Sequence, residues 1–186
     1  MLNNYFEISE KLSAAFKFAA VKHREQIRKD AAQNPYIVHP VNVTFILWGV
    51  GLVTDIDTLI AALLHDTIED TGTKENEIAD RFGNTVLNIV KEVTDDKEKP
   101  KHERKILQIE HAPTLSNEAK LVKLADKISN IDDVINNPPP DWSNERRHEY
   151  LDWAEQVVNG LRGINKPLEN RFDELLKLGK AIIPIT

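Results

Sequence analysis

Apolar positions recur along most of the chain at three- and four-residue intervals, the spacing of one face of a helix. Ser9 is placed to cap a first helix carrying Leu12, Ala15, Phe16, Ala19 and Ala20 and ending near Arg28. The polar run Asp30–Asn34, followed by Pro35, reads as a loop. Val41–Val50 has the β-branched content of a strand, but Pro40 in a first turn and Gly51 as a stop favour a helix. Asp57–Glu69 is the most apolar stretch: Leu59, Ile60, Ala61, Ala62, Leu63, Leu64 and Ile68 go nearly all the way round, which predicts burial on most sides.

Thr73 is placed to cap a short helix through Phe82, and Gly83-Asn84 separates it from a helix bearing Val86, Leu87, Ile89, Val90 and Val93. A charged loop, Thr94–Pro100, leads to a polar helix over Lys101–His111. Ser116 opens an apolar helix with Leu121, Leu124, Ala125, Ile128, Ile131 and Ile135. The three consecutive prolines in Asn136–Asp141 exclude helix interior there. A long helix with Tyr150, Trp153, Ala154, Val157 and Leu161 follows, and Pro167 opens a last one with Leu168, Phe172, Leu175 and Leu176. No repeat, glycine-rich phosphate loop or break in composition divides the chain. The expectation is an all-α, compact single domain over residues 1–186.

Composition narrows the function. The 41% hydrophobic and 29% charged residues are an ordinary globular balance that excludes a disordered or fibrous chain. The longest apolar run, Leu59–Leu64, falls far short of the ~20 residues of a membrane helix, so no membrane partner is expected. Asn3, Asn4 and Glu7 stand where a signal peptide carries positive charge, which favours a cytoplasmic address. No cysteine is present, so disulfides, thiolate metal sites and a cysteine nucleophile are excluded. A net charge of −6 disfavours nucleic acid as partner. Basic residues nevertheless gather at His23–Lys29 and Lys97–Lys105, where they either cover solvated faces or converge on a small polyanion.

The chemistry gathers at the end of the most apolar helix, where His65-Asp66 is followed one turn later by Glu69-Asp70. Neighbours at i,i+3 and i,i+4 share a helix face, so three carboxylates and an imidazole crowd together, against the sign of the helix dipole. Either this end emerges into solvent or a divalent cation compensates it. His39 lies in a loop just before a helix, and Asp126 interrupts an apolar helix where its plain partners would be Lys123 and Lys127. His39, His65, Asp66 and Asp126 together form a two-histidine, two-carboxylate set of the kind that suits manganese, iron or zinc, which points to metal-assisted hydrolysis.

The order His39, His65-Asp66, Asp126 resembles the H…HD…D pattern of the HD-domain phosphohydrolases. Lys22–Asp30, Pro35–Pro40, Ala61–Thr71, Glu92–Lys97 and Lys120–Asn130 are similar to corresponding segments of the stand-alone guanosine tetraphosphate (ppGpp) hydrolases, the metazoan SpoT homologues and their small bacterial relatives. The resemblance runs from about Ala14 to Gly163. It implies an HD-type helical bundle and one manganese ion per chain held by His39, His65, Asp66 and Asp126. It further implies an acid/base pair, Glu69 and Asp70, with Arg28 and Lys29 near the phosphates and Asn130 and Tyr150 near the nucleotide. Lys101 and Trp142 match more loosely. Asp30–Asn34 is longer than the corresponding turn of the long bifunctional enzymes, and Pro138–Pro140 has no counterpart in the pattern. The implied reaction removes the 3′-pyrophosphate of ppGpp to give GDP and pyrophosphate. Another HD-type phosphatase, acting on a nucleoside monophosphate or the ribose phosphate of NADPH, is one alternative. A module that binds the alarmone without cleaving it is another, though it would have no need of Glu69 and Asp70. A homo-oligomer is left open.

Overall fold

Ten α-helices follow one another in the computed structural model, which describes the backbone of residues 2–185 and the side chains of 8–185. They are α1 (Leu2–Lys22), α2 (Val38–Phe45), α3 (Ile56–Leu64), α4 (Thr67–Thr71), α5 (Glu75–Phe82), α6 (Asn84–Val93), α7 (Lys101–His111), α8 (Asn117–Asn136), α9 (Asn144–Asn159) and α10 (Lys166–Ile182). Among the described residues there is no strand, only an isolated bridge between Ile27 and Pro35. Nor, among these residues, is any helix long and apolar enough to cross a membrane.

α3 is the centre of the molecule because it has no polar face. Every residue from Thr58 to Leu64 is buried, and α1, α2, α6 and α8 pack around it. Asp55 starts α3 by accepting the Thr58 amide at 2.8 Å. α8 is the second core helix, touching α2, α3, α6, α9 and α10, with Ser116 as its cap, as expected. The buried apolar side chains form one contiguous cluster.

Several expectations change. Ser9 lies inside α1, which begins at Leu2 and ends at Lys22 rather than near Arg28. The buried face of α1 runs through Ala15, Phe18 and Ala19, so Phe16 lies off it and is exposed, while Phe18 meets Phe82 edge-on at 5.5 Å. After Lys22 the chain turns, with the Gln26 amide bonding His23 O, and then runs extended beside residues 34–36. Val41–Val50 is helical, but α2 already starts at Val38, and its end widens into a π turn over Ile46–Val50 before Gly51. His39 therefore sits in the first turn of a helix and not in a loop. α5 begins after Lys74, whose amide is accepted by Glu77 at 3.0 Å, so Thr73 is not its cap.

Close approach at Gly179 lets α10 settle on its neighbours: a β-carbon there would lie 2.9 Å from a Leu151 methyl and 3.0 Å from Ile135. Gly49, by contrast, faces open space. Gly179→Val is expected to cost about 1–3 kcal/mol through overpacking, read as a lower urea midpoint. Gly49→Ala should leave stability unchanged or raise it by up to about 1 kcal/mol. Equal effects would show that helix contact at Gly179 does not set the packing.

Candidate metal centre and its cleft

The helix expected over Asp57–Glu69 breaks at His65-Asp66, and that break builds the site. The break is capped by its own side chains. His65 Nδ1 donates to Ala62 O at 2.8 Å and the Thr67 hydroxyl to Leu64 O at 2.7 Å. With Nδ1 occupied as a donor, His65 turns Nε2 inward, toward the Asp66 carboxylate. His39 holds Ser129 Oγ at 3.3 Å through Nδ1 and likewise directs Nε2 inward, 3.1 Å from Asp126 Oδ1.

His39, His65 and Asp126 each present a ligand atom within 4.8 Å of the others. Asp66 reaches both imidazoles, at 3.0 Å from His65 Nε2 and 3.7 Å from His39 Nε2. Two imidazoles with fixed outer hydrogen bonds and inward nitrogens, facing carboxylates, are the donor set a divalent ion requires. Asp126 also accepts from Asn130 at 2.6 Å and from Lys127 at 3.0 Å, and Tyr36 donates to Asp66 at 2.6 Å. The plain partner Lys127 is thus real, and it belongs to the site.

Electrostatics follow from this crowding. Burial works to raise Asp66 and Asp126, but His65, Lys127 and His39 outweigh it and hold both carboxyls below the usual range. Burial pushes His39 down, whereas at His65 the carboxylates of Asp66 and Asp126 overcome burial and hold it at about 9. Burial would likewise lower Lys127, but Asp126 beside it keeps the ammonium above its ordinary value.

The acid pair divides between two sides. Glu69 lines the pocket of about 150 Å³ that holds the four candidate ligands, where Asp95 N–H donates to it at 3.1 Å and Arg104 at 3.3 Å. Asp70 lines the adjoining cavity of about 380 Å³ with Arg28, Lys29, Asn130, Trp142 and Tyr150. The two carboxylates therefore do not share one face with the ligands, because the break at His65-Asp66 resets the helical register. It also puts both in the first turn of α4 instead of the last turn of α3.

Arg28 is ion-paired with Asp133 and its guanidinium lies 5.5 Å from the Tyr36 ring centre, so it is held over the cavity and not at a helix end. The proline loop delivers Trp142 against Tyr150, ring centres 5.6 Å apart. Those two rings also line a third hollow of about 340 Å³ with Lys101, Arg104, Lys105 and Arg146. Burial lowers Lys101, and the nearby cations Arg146, Lys29 and Arg104 lower it further. Burial also raises the Tyr150 hydroxyl to about 12. All twelve residues singled out from the sequence thus fall on one continuous cleft. Tyr36, Ser129 and Arg146 carried no predicted role, and Arg104 and Lys105 were read only as part of the basic run Lys97–Lys105. Tyr36 and Ser129 had a visible signal, since each lies within three residues of an expected ligand.

Helices α2, α3, α4 and α8 around a His/His/Asp centre define a divalent-metal HD domain. The HD-domain family profile matches residues 15–153. A Xenopus tropicalis protein named guanosine-3′,5′-bis(diphosphate) 3′-pyrophosphohydrolase MESH1 is 55% identical over 87% of this chain and 90% of its own. The human protein of the same name is 52% identical over 92% and 95%. A solved structure described as "a metazoan ortholog of SpoT" that "hydrolyzes ppGpp" superposes with a TM-score of 0.88 at 46% identity, covering 90% of this chain and 94% of that one. The chain belongs to the HD-domain family and, within it, to the stand-alone MESH1 branch.

Adding a divalent ion to metal-free protein should raise the thermal midpoint by mass action, and Asp126→Asn should remove most of that gain. An undiminished gain, followed by calorimetry, would place the ion elsewhere.

Proposed function

We propose that the chain, as one HD hydrolase unit over residues 1–186, hydrolyses ppGpp to GDP and pyrophosphate, with manganese as its ion. The observation that carries this reading is the likeness, in fold and over nine-tenths of both chains, to a structure described as hydrolysing ppGpp. The cleft supports it independently, since cations and aromatic rings border a pocket of imidazoles and carboxylates.

In this reading His39, His65, Asp66 and Asp126 hold the ion, which supplies Lewis acidity that lowers the pKa of water and draws charge from phosphoryl oxygens. A water oxygen bonds to the phosphorus next to the ribose, and the bond from that phosphorus to the 3′-oxygen breaks. Glu69 and Asp70 move the protons, one taken from the water and one given to the departing 3′-oxygen. Arg28 offers a fork suited to bidentate phosphate contact and Lys29 a point charge. Asn130, Trp142 and Tyr150 meet the nucleoside, and Lys101 meets charge farther along the cleft.

Incubation of the manganese-loaded protein with ppGpp, pppGpp, NADPH and nucleoside monophosphates, followed by chromatography, should give pyrophosphate from ppGpp as first product. Stepwise orthophosphate, or turnover of NADPH or monophosphates in preference, would favour another HD phosphatase. Tight binding without turnover would make the chain a sensor.

Burial, with Asp95, Asp66 and Asp70 nearby, holds Glu69 above the ordinary carboxylate range despite the Asp95 amide. A base must be deprotonated to work, so kcat should fall on acidification at a pH above the ~4.3 of a free glutamate. Glu69→Gln should lower kcat about 10²-fold or more and remove that limb while metal content stays intact. Loss of the ion from Glu69→Gln would instead make Glu69 a ligand.

A further inference from the structure

The turn after α1 carries a hydrogen-bonded chain that ends on Asp70. Gln26 Nε2 lies 3.0 Å from Asp70 Oδ2, and Gln26 Oε1 lies 2.7 Å from His23 Nδ1. Its polarity follows from chemistry. A carboxylate only accepts, so the amide nitrogen must face Asp70; the amide oxygen left facing His23 also only accepts, so His23 carries its proton on Nδ1. His23 is 2% exposed, and its Nε2 is buried with no hydrogen-bond partner. A residue kept only to fill space would not bring an unsatisfied nitrogen into the interior. What the ring supplies is its Nδ1 bond to Gln26.

Backbone geometry makes the chain rigid. Tyr36 N–H bonds Gln26 O at 2.9 Å and Arg28 N–H bonds Asn34 O at 2.8 Å, so the segment around Gln26 is paired in fixed register with the segment leading to Tyr36. The His23 ring rests on the Tyr36 ring with centres 4.9 Å apart. Lys97 holds the other oxygen of Asp70 from a half-exposed position. Gln26 is thus the less mobile of the two groups that orient this carboxylate.

We infer that Gln26, held by His23, is a positioning residue that fixes the rotamer of Asp70 for proton transfer. This rests on the reading of Asp70 as a proton-transfer group. His23 lines none of the three cavities that make up the cleft, so it reaches the reaction only through Gln26 and the Tyr36 ring.

The test uses His23→Phe, which keeps a ring against Tyr36, and Gln26→Leu, each made in the native and in the Asp70→Asn background. Kinetics, manganese content and thermal midpoint are read on the same samples. In the native background each should lower kcat about tenfold or more, the usual cost of losing a supporting hydrogen bond, with manganese content unchanged. In the Asp70→Asn background neither should lower kcat further, because the carboxylate they orient is gone. A purely structural role predicts the same fold-loss in both backgrounds, or a lower midpoint with kcat unchanged, and either result overturns the inference. If His23→Phe does not fold, Gln26→Leu at its half-buried turn decides alone. Should Asp70→Asn itself keep the native kcat, the reading of Asp70 is what fails, and the positioning role falls with it.

Discussion

A carboxylate in the apolar face of α8 is the constraint around which this molecule is arranged. Asp126 stands between Ala125 and the buried run of Lys127, Ile128 and Ser129, where an uncompensated charge would cost several kcal/mol. Asn130 and Lys127 of its own helix donate to it, and His39 Nε2 from α2 lies 3.1 Å away. A second carboxylate, Asp66, adds to the deficit and is met by Tyr36 and His65. Helices α2, α3 and α8 are therefore tied together at a polar point inside an otherwise apolar bundle. Two carboxylates and two inward imidazole nitrogens there leave a place that a divalent cation satisfies better than further protein groups do.

The break between α3 and α4 is what makes this arrangement affordable in backbone terms. An unbroken helix would place Glu69 and Asp70 in its last turn, where the dipole repels them. Instead α3 ends at Leu64, Asp66 (φ −96°, ψ −3°) stands just before α4, and the carbonyls released at the break are satisfied by His65 and Thr67 side chains. Glu69 and Asp70 then open a new helix with the dipole in their favour. The same break turns Glu69 toward the ligands and Asp70 toward the larger cavity, so two adjacent carboxylates serve two surfaces.

Helix existence was legible in the sequence because burial here is one-sided and periodic; α7 and the start of α8 fall where spacing and capping put them. What periodicity could not show is where backbone bonding changes partner without a change in composition. Nothing in Ala19–Arg28 marks the end of α1 at Lys22, since the stop comes from pairing with residues 34–36, which is not local. The break at His65-Asp66 was hidden for a related reason: its capping groups, His65 and Thr67, read as helix interior. His65, Asp66 and Asp126 drew attention because ionisable residues inside apolar runs conflict with burial, whereas His39, read in a loop, gave no such signal. Tyr36, Arg104 and Arg146 caused no such conflict, and only the tertiary structure brings them to the cleft.

The net charge of −6 and the proposed polyanionic substrate are reconciled by where the charges lie. Asp66, Glu69, Asp95 and Asp126 line the innermost pocket, facing Lys123, Lys127 and the imidazoles of His39 and His65. Lys101, Arg104, Lys105 and Arg146 border the outer hollow, and burial together with their mutual repulsion depresses Lys101 and Lys105. A potential of this shape draws a phosphate chain to the rim while refusing it the bottom. The inner carboxylates repel a phosphoryl group until their charge is offset by a cation, so the residues that would hold the ion also make entry to the reacting position conditional on it. In the proposed reaction, productive binding then requires both the cationic rim and a compensated centre, which is how a chain of net negative charge would take a small polyanion.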